Sequence, residues 1–385
     1  MKRIRIGLLP RILIAILLGV LLGNVLTLPW VRLFITFNSI FSQFLGFMIP
    51  LIIVGLVAPA IADIGSKVGR LLLWAVGLAY VDTILAGLLG YGVGSWLFPQ
   101  MVEAGQNTTL TTEAEALLPF FEIKIPPLFD VMAALVLSFV AGLSIAYCHA
   151  PTLKQGLCEM RKLVEIIIQA AIIPLLPLYI FGIFLEMTFT GSAYHILLVF
   201  AKIIVVIFVL HITVLLYEFV IAGGLTHRNP LKLLWTMLPA YFMALGTSSS
   251  AATIPVTLRQ TKKNGVSEDV ASFAVPLCAT IHMSGSMMKI TCCALTVCLM
   301  SGLPYDFPLF LHFMMLLGVC MVAGPGVPGG AIMAALGPLA SILGFSPDQQ
   351  ALMIALYIAM DSFGTACNVT GDGAIALVLD KLFRK

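Results

Sequence analysis

Eight stretches of this chain, at about 8–28, 35–61, 71–98, 128–149, 163–187, 195–222, 270–300 and 350–379, are apolar for long enough to cross a lipid bilayer. A fold built from them has lipid as its solvent, so each segment must satisfy its own backbone polar groups as a helix. The 60% hydrophobic and 10% charged composition, with a mean hydropathy of +1.07, could not cover the surface of a water-soluble fold of this size. The chain reads as an all-α integral membrane protein. A formal net charge of +3 is too small to suggest a nucleic-acid partner. The eight cysteines, at 148, 158, 278, 292, 293, 298, 320 and 367, lie almost entirely in apolar segments without metal-ligand spacing and read as small buried hydrophobes. Lys2, Arg3 and Arg5 precede the run Ile12 to Leu28 as in a signal peptide, but no small-x-small cleavage site follows. A retained first helix is expected.

Two further apolar stretches, about 231–258 and 308–343, are broken near their middles by GTSSSAATIP and AGPGVPGG. Gly and Pro interrupt the ladder of helix bonds, and Ser and Thr compete for it. Each stretch is therefore either a kinked span or a hairpin that enters and leaves by the same side. Charge decides between them. With the basic N-terminus in the cytoplasm, eight spans and two re-entrant hairpins put Lys67, Arg70, Lys154, Arg161, Lys162, Arg228, Lys232, Arg259, Lys262, Lys263, Lys381, Arg384 and Lys385 inside, and Arg32 and Lys124 outside. Full crossings would move the Lys262–Lys263 loop outside, against the positive-inside tendency. The loop at 99–127, with Glu103, Glu113, Glu115 and Glu122, is then external. Its Asn107-Thr108-Thr109 is a glycosylation sequon by pattern only.

The run DSFGTACNVTGD, from Asp361 to Asp372, places polar groups where they are expensive. On a helix, Asp361, Thr365, Asn368 and Asp372 project from one narrow face. A plain reading is a polar seam between helices. Two carboxylates near a bilayer core favour an ion or solute site instead. The last third also repeats a pattern: a broken hairpin, then a span with a polar patch (HMSGS, His282 to Ser286), then a second hairpin and a second patched span (NVTGD, Asn368 to Asp372). Loop counts give the two halves opposite orientations, the inverted arrangement by which secondary transporters build a midplane site.

Five motifs carry a family likeness: Thr247-Ser248-Ser249-Ser250-Ala251-Ala252-Thr253-Ile254-Pro255-Val256-Thr257; Gly265-Val266-Ser267-Glu268; Pro276-Leu277 with Ala279-Thr280-Ile281; Gly326-Val327-Pro328-Gly329; and Asn368-Val369-Thr370-Gly371-Asp372. In them the chain resembles the glutamate transporter family, the dicarboxylate/amino acid:cation symporters. The resemblance implies eight transmembrane helices plus two re-entrant hairpins in an inverted-repeat elevator fold, assembled as a homotrimer in the plasma membrane. Residues 1–68 and 128–190 would form the scaffold, and 99–127 the external loop. Residues 69–98 and 191–385 would form the transport domain, with hairpin 1 at 231–258, helix 7 at 270–300, hairpin 2 at 308–343 and helix 8 at 350–379. The resemblance further implies that Asp361 receives a solute's amino group, that Thr365 and Asn368 line the pocket, and that Ser249 and Ser250 offer donors to its carboxylate. The glycine-rich tip from Gly324 to Gly330, with Gly326 at the solute, would be the outer gate. Asp372 would be a sodium ligand, assisted by main-chain oxygens of Cys278, His282 and Asn368. A second cation would sit between the carbonyls of Thr280, Met321, Val322 and Gly324.

Three departures from the family pattern bear on function. The family's carboxylate-binding arginine is Gly364 here, which favours a small neutral amino acid over an acidic amino acid or dicarboxylate. The family's Asn-Met-Asp-Gly-Thr reads His282-Met283-Ser284-Gly285-Ser286, losing a carboxylate, while Asp82 and Thr83 stand where the family has Thr-Ser. Asp82 is either the relocated carboxylate or a solvated crevice residue. Lys289 follows His282 by seven residues, on one face if the helix is continuous. It either pairs or snorkels, or it replaces a bound cation, so coupling to Na+, H+ or both stays open.

Rival functions fit less well. Asp361 and Asp372 lie about 16 Å apart by helical rise, too far for an acid–base dyad. His282 and Ser284 face different sides of a helix, which argues against a nucleophile–base pair and an enzyme. A channel would show charged rings or repeated filters. No cofactor other than a coupling cation is expected.

Overall fold

Apolar runs with few charges close their backbone bonds within each segment, and the polar interruptions decide where segments end. The computed structural model describes residues 8–65, 69–102, 117–148, 150–191, 193–322 and 329–383. The described residues are helical, without a strand: α1 (Leu8–Gly23), α2 (Leu28–Gly65), α3 (Arg70–Met101), α4 (Val131–Cys148), α5 (Pro151–Ile167), a π turn (Ile168–Ile172) leading into α6 (Ile173–Phe189), α7 (Ala193–Thr226), α8 (Pro230–Thr247), α9 (Ser250–Lys263), α10 (Glu268–Ile281), α11 (Ser284–Ser301), α12 (Phe307–Val322), α13 (Gly330–Ser341), α14 (Pro347–Ala359) and α15 (Asp361–Phe383). Among them α2, α3, the α5–α6 path, α7 and the α10–α11 path are long and apolar enough to cross a membrane. The α14–α15 pair makes a sixth if its bent halves count as one span. Shorter apolar helices are α1, the Val136–Cys148 part of α4, α12 and α13.

Both interrupted stretches form helix pairs, α8–α9 and α12–α13. In the first, Ser248 takes a left-handed backbone (φ 49°) and Ser249 caps α9, its side chain accepting the Ala252 N–H at 3.3 Å. Asn229 caps α8 ahead of Pro230, and Ser346 forms a capping box with Gln349 ahead of α14. The tip of the second pair, including Gly324 and Gly326, lies outside the described residues.

Two sequence expectations need correction. The segment 270–300 is not one continuous helix: His282 is extended and the backbone reforms a helix only at Ser284. The Met283 N–H, freed by the break, donates to Thr83 Oγ1 at 3.2 Å. Segment 350–379 is likewise two helices meeting at 63° around Met360, so Asp361 opens a helix rather than sitting within one. Two cysteines also depart from the buried expectation, since Cys148 is exposed and Cys158 is half-buried.

α1 packs on α6 and α2 on α4, while α3, α7, α8, α9, α10, α11 and α15 pack on one another. The second group meets through small side chains, including Ala240, Ala244, Ala271, Ala274, Ala366 and Ala376, all buried. Small residues let backbones approach closely, which is how helices associate without a hydrophobic driving force. α11 and α15 lie at the centre of the polar groups described next.

Candidate functional site

Two helix breaks bring buried polar groups together. At the bend between α14 and α15, a helix C-terminus and a helix N-terminus meet, exposing carbonyl oxygens on one side and N–H groups on the other. Lys289 of α11, fully buried, fills the carbonyl side. Its Nζ donates to the carbonyls of Tyr357 and Met360, both at 3.3 Å, and lies 3.4 Å from the centre of the Tyr357 ring. Asp361 takes the N-terminal side, where a carboxylate is favoured. Its Oδ2 accepts the Gly329 N–H at 2.8 Å, and its Oδ1 lies 3.9 Å from Lys289 Nζ. Lys289 therefore pairs and does not snorkel.

Gly364 matters to that pair. A Cβ at residue 364 would lie 2.9 Å from Lys289 Nζ, so the ammonium occupies the space a side chain there would use. Gly364 itself offers no side chain to a solute, as the sequence indicated, but a lysine ammonium stands where that side chain would be. The positive charge comes from α11 instead of α15.

The first helix pair reaches the same place through Ser248, whose Oγ is 2.7 Å from Ser362 Oγ. Ser249 and Ser250 stand beside it at the start of α9, half-buried. Asn368, one α15 turn beyond Thr365, is engaged by α11: its Oδ1 accepts the Ser286 N–H at 3.2 Å and its Nδ2 donates to Ser286 Oγ at 3.0 Å. Ser286 Oγ is also 3.1 Å from Tyr357 Oη. Thr365 is buried on the same face.

At the other break, between α10 and α11, His282 is surrounded by carboxylates. Its Nδ1 lies 3.0 Å from Asp372 Oδ1 and its Nε2 2.8 Å from Asp82 Oδ2. Glu218 of α7 stands 3.9 Å from His282 Nε2 and accepts the Ser284 hydroxyl at 2.7 Å. One ligand atom from each of Asp82, Glu218 and His282 falls within 4.8 Å of the others. All four ionisable groups are buried. An imidazole with a carboxylate at each nitrogen must share at least one extra proton with them, because two lone pairs cannot face each other at these distances. The break also separates His282 from Lys289, which belong to different clusters rather than one helical face.

The carboxylates fit a hard cation. Three of them surround one imidazole, and Glu218 Oε2 makes no hydrogen bond to the described residues. A Cβ at Gly371 would collide with that oxygen and lie 2.7 Å from His282 Cε1, so glycine keeps the space open. The Cys278 carbonyl, expected as a sodium ligand, accepts the His282 N–H at 2.8 Å. Thr280 bonds its own helix through Leu277 O, and Met321 is buried in α12 beside Val322, on a helix that touches α10.

Glu218 and His211 of α7 were not singled out as site residues from the sequence. His211 contacts the Gly285 carbonyl at 3.2 Å through Nε2. Both were visible as ionisable residues inside a long apolar run, the signal by which Asp361 was found. A cavity of about 360 Å³, lined by Ser42, Ile49, Tyr179, Ser341, Gln350 and Ile354 among others, shares no residue with either cluster.

An apolar helical bundle with broken helices around buried, oppositely charged groups fits the class of membrane transport proteins. Comparison with known proteins gives the family. The chain belongs to the sodium:dicarboxylate symporter family, whose model matches residues 8–382. It is similar to the serine/threonine transporters SstT of Acinetobacter baumannii strains AYE and AB0057, each 29% identical over 398 residues, with 98% of this chain and 97% of the relative covered. The corresponding protein of strain ATCC 17978 is 28% identical over the same length.

Proposed function

We propose that the chain is a secondary active symporter that couples a monovalent cation to uptake of a small neutral amino acid of the serine or threonine kind. The observation carrying this reading is the meeting of both helix pairs at the start of α15, through Ser248 with Ser362 and Gly329 with Asp361. Asp361 would receive the solute's amino group, with Thr365 and Asn368 beside it. Ser249, Ser250 and the N-terminus of α9 would take its carboxylate. Asp372, Asp82 and Glu218 would hold the coupling cation, sodium by the family's name, with a proton on His282 as the alternative. Thr280, Met321, Val322 and Gly324 would form a second cation position, and Gly326 would close the solute from outside. The names of the relatives and the missing side chain at Gly364 both support a small neutral solute.

The same reading includes elevator movement of 69–98 and 191–385 against a scaffold of 1–68 and 128–190, a homotrimer, and a plasma-membrane location with both termini cytoplasmic. A second reading, an acidic amino acid or dicarboxylate, draws on the Lys289 ammonium beside Gly364. It is weaker because that ammonium already serves two carbonyls and a ring face, and a lysine lacks the planar fork that grips carboxylates. Uptake of labelled amino acids and dicarboxylates into proteoliposomes, with sodium and proton gradients imposed separately, tests both. Accumulation of serine-sized solutes only under an inward cation gradient is expected. Equal uptake without any gradient would remove the symport reading.

A further inference from the structure

The Lys289–Asp361 pair has a role beyond holding the bend. Asp361 is buried, and Lys289 is the cation the structure places against it. When a solute's amino group binds Asp361, that carboxylate is neutralised by the cargo. When the cargo leaves, a lone carboxylate at this depth would be costly to carry across the membrane. We infer that Lys289 is the tethered counter-cation of Asp361 in the solute-free carrier, yielding Asp361 to the solute's amino group on loading and reclaiming it on release.

Geometry supports the exchange. The ammonium is 3.9 Å from Asp361 Oδ1, in ion-pair range but beyond a direct hydrogen bond, and its hydrogen-bond partners are the carbonyls of Tyr357 and Met360 at 3.3 Å. It can remain on those carbonyls while Asp361 turns to another amine. The flexible stem of lysine permits small slides of charge that a planar guanidinium would resist. Gly364 is the complementary feature, since a side chain there would occupy the space the ammonium uses. Lysine at 289 and glycine at 364 thus form one device on two helices.

The inference rests on the symport reading, and its test separates the two. In proteoliposomes, net uptake into solute-free vesicles requires the empty carrier to return, whereas exchange against internal solute does not. Lys289→Met should lower the ratio of net uptake to exchange by about tenfold or more, and Lys289→Arg should restore part of it. Gly364→Ala, which keeps the charge but crowds the ammonium, should lower the ratio in the same direction and guards against misfolding of the lysine variant. Parallel loss of both rates, or an unchanged ratio in correctly folded variants, would overturn the inference while wild-type symport stands. Failure of the wild-type protein to accumulate any solute removes the symport reading and this inference with it.

Discussion

The two helix breaks use similar backbone to opposite electrostatic ends. At the α14–α15 bend one carboxylate, Asp361, faces one ammonium, Lys289, and the count balances within the protein. At the α10–α11 break three carboxylates, Asp82, Glu218 and Asp372, face one imidazole, and the count does not balance. Charge buried at low dielectric must be compensated by something. The first cluster supplies its own cation, and the second carries the excess of carboxylates on which the proposed cation position rests. That difference separates the proposed solute position from the proposed cation position, although Asn368 and Asp372 lie one turn apart on the same helix.

Substitutions can break or sharpen this division. The largest effect is expected from Asp361→Asn, which leaves the Lys289 ammonium buried without its anion and loosens the Gly329 contact. Breaking a buried pair costs about 3–5 kcal/mol, so uptake in proteoliposomes should fall roughly a hundredfold or more. Uptake within twofold of wild type would dissolve the contrast between the clusters. Next comes Asp82→Asn, which removes one of three carboxylates. The sodium concentration for half-maximal uptake should rise about tenfold with little change in solute preference. Unchanged uptake at low sodium would show that Asp82 plays no part in cation binding.

A smaller change is expected in solute choice. Gly364→Arg combined with Lys289→Met moves the positive charge from α11 to α15 and provides a planar fork. Competition by acidic amino acids should then strengthen several-fold relative to serine. If acidic solutes compete equally well before and after, the position of the charge does not select the solute. Smallest is Gly371→Ala. Its methyl would press on Glu218 Oε2 and His282 Cε1, an overpacking of about 1–3 kcal/mol, lowering the thermal midpoint in detergent without altering solute preference. An unchanged midpoint would mean that the carboxylate cluster relaxes freely around the added methyl.

Much of this arrangement was legible in the residue order. The serine-rich and glycine-rich interruptions located both helix pairs, because Gly, Pro, Ser and Thr weaken a helix wherever they cluster. Intramembrane carboxylates marked α15, because nothing but function or pairing retains them in lipid. Asp82 was likewise visible, and it lies against His282. Periodicity misled at 270–300 and 350–379, where the polar patches were read as faces of continuous helices and the turns at His282 and Met360 did not show. Hydropathy records which side chains lipid tolerates, and it is blind to where the backbone changes direction.

The sequence by itself determined that the chain is helical and apolar, where its helices are interrupted, and which polar residues lie inside it. Those properties are local, set by side-chain chemistry and helix propensity over a few turns. Only the tertiary structure decided that Lys289 belongs to Asp361 and Gly364, and His282 to Asp82, Glu218 and Asp372. Pairing between helices depends on their crossing and rotation, and those follow from how small and large side chains pack across the whole bundle.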